Sequence, residues 1–171
     1  MEITYILQES ITSTAAHIVD TINQGASWIN YIGHGSGTSW PSINTGEFTV
    51  DDIKDLAPGS VKPVLIDVAC QNGRFSNEGR FGERFMNQTN NGAPVGAVAY
   101  YGGSVDISWH PPAIMARGIN LEMATKKPET IGQVLLAGQL YLLKNYDDLA
   151  AAEENLIWYH LQGDPTLQIN Y

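Results

Sequence analysis

Two residues of this chain have the types and the spacing for nucleophilic chemistry. Cys70 is the one cysteine among 171 residues, and His34 stands 36 positions before it. A free thiol is mostly protonated at neutral pH, and an imidazolium beside it favours the nucleophilic thiolate. The same imidazole can then protonate a leaving amine and later activate water. Each residue lies in a glycine-bearing string, Gly33-His34-Gly35-Ser36-Gly37 and Cys70-Gln71-Asn72-Gly73. With no Cβ, Gly35 lets a substrate carbonyl approach the backbone, so the Gly35 and Cys70 amides are candidates for an oxyanion hole. Taken singly, a histidine between glycines is equally a turn residue or a metal ligand, and a lone cysteine is more often a small buried hydrophobe.

The elements that must position this pair are short apolar runs separated by helical or long connections. Residues 27–32, 63–69 and 94–101 read as strands, each running into a glycine loop, and the first two end at His34 and Cys70. Near-continuous apolar strands joined by crossovers argue for a mainly parallel sheet covered on both faces, an α/β three-layer sandwich. In such sheets the reactive loops converge beyond the carboxyl ends of the strands. A strand is also expected at 3–7, helices at 13–23 (closed by Gly25), 79–88, 112–124, 131–145 and 147–158, and a helical turn at 50–56. A turn at 161–164 is expected to lead into a last strand at 166–171. Asp67 points to the sheet face opposite its neighbours, which suits a loop-supporting role better than proton transfer. Residues 1–171 read as one unit without repeats or linkers.

Composition narrows the partners. The formal net charge of -9, from 18 acidic and 9 basic residues, repels phosphate backbones, so nucleic acid and anionic membrane are excluded as expected partners. The apolar runs are too short to span a bilayer, and the first residues lack a signal-peptide pattern. One cysteine provides neither a disulfide nor a cysteine zinc site.

Three strings resemble the gingipain family of cysteine peptidases in the caspase-like clan: Asn30-Tyr31-Ile32-Gly33-His34-Gly35-Ser36, Asp67-Val68-Ala69-Cys70-Gln71-Asn72-Gly73 and Ser104-Val105-Asp106-Ile107-Ser108-Trp109. The likeness continues through Pro94-Val95-Gly96-Ala97-Val98-Ala99 and Gly163-Asp164-Pro165-Thr166-Leu167, covering the chain from about Ala15 onward. It implies a caspase-like fold, a His34–Cys70 catalytic dyad and an oxyanion hole from Gly35 and Cys70. It also implies that Trp109 lines the pocket for the side chain preceding the scissile bond, and that Ala113 stands where arginine-specific members carry methionine. Cleavage after basic residues needs a pocket carboxylate, for which Asp106 is the local candidate, with a solvated loop position as the alternative.

The likeness further implies a secreted or cell-surface bacterial hydrolase that needs no catalytic cofactor. Structural calcium is compatible with the carboxylate excess, but no calcium-loop motif is present and no ligands are assigned. The family's histidine-orienting acid lies well upstream of the glycine-histidine loop, whereas only 33 residues precede His34. The expectation is therefore the second half of a larger catalytic domain, with an uncovered sheet edge inviting the upstream half-domain or a homodimer partner. The rival expectations are a non-catalytic interaction or sorting module and a transpeptidase of the same clan.

Overall fold

The structure is a computed structural model that describes residues 2–59, 61–75 and 79–170. A four-stranded sheet of β1 (Trp28–Ile32), β4 (Val64–Val68), β7 (Ala99–Gly103) and β8 (Tyr159–Gly163) forms the centre, in the order β1-β4-β7-β8. The first three strands are parallel and β8 returns antiparallel on β7. Two short antiparallel pairs flank the sheet, β2 (Ser39–Trp40) with β3 (Phe48–Thr49) and β5 (Thr89–Asn90) with β6 (Ala93–Pro94).

The central strand β4 is buried along its whole length, and its side chains alternate between two cores. Val64, Ile66 and Val68 join Ala99 and Tyr101 beneath α3 (His110–Thr125), α4 (Ile131–Asn145) and α5 (Leu149–Trp158). Leu65 joins Tyr100 on the opposite face, with α1 (Ala15–Asn23), α2 (Phe81–Asn87) and the 3-10 turn Asp52–Asp55. Period-2 alternation on β4 and β7, the two strands buried on both sides, produces this three-layer α/β sandwich with a mainly parallel sheet, as expected. Among the described residues no helix is long and apolar enough to cross a membrane.

The helices begin where local chemistry satisfies their first amides. Thr14 accepts the His17 N–H at the start of α1, and Asp148 accepts that of Ala151 at α5. Thr130 and Gln133 form a reciprocal capping box on α4. Pro111 and Pro112 stand in the first turn of α3, where a missing N–H costs no helical hydrogen bond.

Four sequence expectations change. Residues 3–7 form no strand: Ile3, Tyr5 and Leu7 alternate but remain exposed, without a partner strand among the described residues. The third strand begins at Ala99 rather than 94, because Ala97 donates to the Phe85 carbonyl at 2.8 Å and draws the chain onto α2. The free edge of β7 is taken by residues directly following α5, so 159–163 is the strand and not a turn. Beyond it, Gln168 forms a single bridge with Thr130, while Ile169 donates to Glu129; Tyr171, the last residue of the expected 166–171 strand, lies outside the described residues. Finally, β1 is a half-buried edge strand with Asn30 and Ile32 exposed, not a buried one.

Candidate active site

The β1–β4 register decides where the two candidate residues stand. Ile32 is opposite Val68, and the Gly33 N–H extends the ladder by donating to the Val68 carbonyl at 3.1 Å. His34 and Cys70 are each two residues beyond that pair, so their loops leave neighbouring parallel strands at the same carboxyl-end rim. Gly35 then lies against the nucleophile's backbone. A methyl group built on it would overlap the Cys70 carbonyl oxygen and stand 2.9 Å from the Cys70 nitrogen. Among the described residues neither the Gly35 nor the Cys70 N–H donates to a protein acceptor.

The His34 main chain is clamped on both sides. Its N–H donates to Ser42 Oγ at 2.9 Å and its carbonyl accepts from the Tyr31 hydroxyl at 2.8 Å. That hydroxyl also accepts the Ser42 N–H at 3.2 Å. Burial pushes the Tyr31 phenol up to about 12, so it stays protonated and keeps donating across the ordinary pH range. The exposed imidazole stands edge-on to Trp109, with ring centroids 5.0 Å apart and planes at 81°.

The half-buried Cys70 sulfur accepts the Ile107 N–H at 3.5 Å and reaches the Ile107 carbonyl at 3.8 Å. Gln71 takes a left-handed conformation at φ 60°, turning the chain sharply after the cysteine. Its N–H donates to the Val105 carbonyl at 2.9 Å and its side chain to Asp106 Oδ1 at 2.7 Å. The 105–107 segment therefore runs alongside the Cys70 turn and leads to Trp109, half exposed at 51%, where α3 begins. Ala113 follows one turn later, half-buried, its N–H 3.4 Å from the Trp109 carbonyl.

All six residues singled out in the sequence, His34, Gly35, Cys70, Asp106, Trp109 and Ala113, thus stand on segments reaching one rim or adjoining it through α3. Among the described residues no hydrogen bond joins the imidazole to the thiol, and no carboxylate forms an ion pair with the imidazole. No three His, Cys, Asp or Glu side chains converge as a metal site among them either. Sequence reading did not single out Tyr31 and Ser42, whose role appears only once the loop folds back on β1. The Gly-His-Gly string signals a tight loop but not its clamp.

The caspase-like α/β sandwich thus carries His34 and Cys70 just beyond the ends of adjacent parallel strands. The chain belongs to Peptidase family C25, whose pattern it matches over residues 3–170. Gingipain R2 and gingipain R1 of Porphyromonas gingivalis are similar to it, each 32% identical over 161 residues and 91% of this chain. The chain spans 21% of the length of that gingipain R2 and 16% of that gingipain R1. Two solved structures share the fold. The complex of Porphyromonas gingivalis RgpB pro- and mature domains matches with a TM-score of 0.84 at 30% identity, over 94% of this chain and 38% of that one. The Arg specific cysteine proteinase gingipain R matches with a TM-score of 0.83 at 31% identity, over 94% and 37%.

Proposed function

We propose that this chain carries the His-Cys catalytic half of a cysteine endopeptidase. Cys70 Sγ attacks the scissile carbonyl carbon, and the Gly35 and Cys70 amides receive the developing oxyanion. The His34 imidazolium donates its proton to the amine as the C–N bond breaks, leaving a thioester on Cys70. The neutral imidazole then takes a proton from water, whose oxygen attacks the thioester and frees the acid and the thiol. One observation carries this reading: Gly35 is seated on the Cys70 backbone with both amides lacking a protein acceptor among the described residues. In this reading the imidazole leaves its edge-on contact with Trp109 to meet the sulfur, and catalytic hydrogen bonds commonly close only with substrate in place.

Trp109 and Ala113 line the specificity pocket in this reading. Asp106 supplies the preference for a basic side chain, since Oδ1 is held by Gln71 while Oδ2 has no protein partner among the described residues. The substrate is a peptide or protein, and the open edge of β1 suits the remainder of a longer catalytic domain. Family likeness favours action outside the cell. A non-catalytic role is the alternative, favoured by the imidazole's lack of a carboxylate partner among the described residues.

Labelling with peptidyl electrophiles carrying arginine, lysine or a neutral residue tests the proposal. The expected result is covalent modification of Cys70, absent in Cys70→Ala and fastest with a basic probe. Wild-type labelling no faster than that of free cysteine at neutral pH would sink it.

A further inference from the structure

Directly beneath the rim lies a carboxylate that the chemistry above does not use. Asp67 is wholly buried, and its partners come from three other segments. It accepts from Trp40 Nε1 at 3.1 and 3.2 Å, from Asn72 Nδ2 at 3.2 Å, and from the Tyr100 hydroxyl. Two of these partners lead to the reactive loops. Asn72, two residues after Cys70, accepts the Gly37 N–H at 2.8 Å and donates to the Ser39 carbonyl at 3.1 Å. Trp40 stacks on Tyr31 with centroids 4.5 Å apart, and Tyr31 holds the His34 carbonyl.

We propose that Asp67 is a positioning residue, fixing the His34 loop against the Cys70 turn through Asn72 and Trp40 without touching the reacting atoms. Three donors converge on it, and an ionised carboxylate is the side chain that only accepts. An apolar residue would leave those donors unpaired, and an amide would turn a fourth donor toward them. Burial without a cationic partner is costly, and desolvation raises this carboxyl to about 6 despite the hydrogen bonds from Tyr100, Trp40 and Asn72. Core stability alone would be served as well by hydrophobic packing. What the carboxylate adds is a fixed link between two loops from different strands.

The proposal rests on the His34–Cys70 reading, and the experiment separates the two. An arginyl peptidyl electrophile is titrated to saturation against the full chain, Asp67→Asn and Trp40→Phe, each well below its melting temperature. The limiting labelling rate at Cys70 is expected to fall tenfold or more in Asp67→Asn, with the half-saturating concentration little changed. Trp40→Phe, which removes the Nε1 donor and shrinks the ring stacked on Tyr31, should fall in the same direction and decides the matter if Asp67→Asn does not fold. Folded variants that label at the wild-type limiting rate overturn the positioning role alone. A wild type no more reactive than free cysteine overturns both readings.

Discussion

Gly35 and Cys70 share a backbone contact so close that no side chain fits between them. The contact joins two loops that leave different strands, so it sets how closely the histidine loop approaches the cysteine turn. Replacing Gly35 with alanine must part the loops or displace the Cys70 carbonyl. Overpacking of this kind costs about 1–3 kcal/mol, and moving a rigid oxyanion donor costs about tenfold or more in rate. Thermal melting and Cys70 labelling of Gly35→Ala, measured side by side, should show both losses.

The Tyr31 hydroxyl serves the same loop from the other side. Tyr31→Phe keeps the ring stacked on Trp40 but leaves the His34 carbonyl and the Ser42 N–H without their partner. A loss of about 1–2 kcal/mol in denaturant stability is expected, the usual scale of two intramolecular hydrogen bonds. Labelling of Cys70 should slow more than Cys70 exposure changes, because the histidine loop and not the thiol has been released.

Asp67 makes stability depend on pH with a definite sign. Its carboxyl is raised to about 6 in the fold and titrates at its ordinary acidic value when unfolded. Between those values the native state binds more protons than the unfolded chain, so this group's contribution to stability falls as pH rises and levels off above about 6. The fall amounts to at most about 3 kcal/mol. Denaturant curves from pH 4 to about 7 should show the slope in wild type and lose it in Asp67→Asn.

Asp106 offers a test of specificity separate from catalysis. Its carboxylate is exposed at the rim, where a charge pair is worth about 1 kcal/mol, or about fivefold. Asp106→Asn should therefore slow labelling by an arginyl probe about fivefold and leave a neutral probe unaffected. Equal slowing of both would mean that its bond to Gln71 shapes the Cys70 turn and that the basic preference lies elsewhere.

The candidate dyad was legible because apolar runs ending in glycine loops mark parallel strands, and His34 and Cys70 stand at equivalent places on two of them. The helices were legible because capping residues and 3.6-residue spacing are local signals. What escaped depends on contacts between distant segments. Ile3, Tyr5 and Leu7 alternate as a strand would, yet alternation without a partner gives none. The 159–163 strand carries His160 and Gln162 directly after a helix, and only the vacant edge of β7 makes it a strand. Gly96 looked like the interior of an apolar strand, but a side chain there would overlap the Phe85 carbonyl, which is why the chain bends before Ala99. A supporting role for Asp67 could be read from the alternation of β4, whereas its partners Trp40, Asn72 and Tyr100 lie on segments that only the folded sheet brings together.

The dependence of the thiol on the histidine is the most direct test of the central claim. The alkylation rate of Cys70 by a small neutral electrophile at neutral pH should exceed that of free cysteine in wild type and fall by tenfold or more in His34→Ala, with the melting temperature preserved. Equal rates in wild type and His34→Ala would show that the imidazole does not activate the thiol, and the proposed dyad would be wrong.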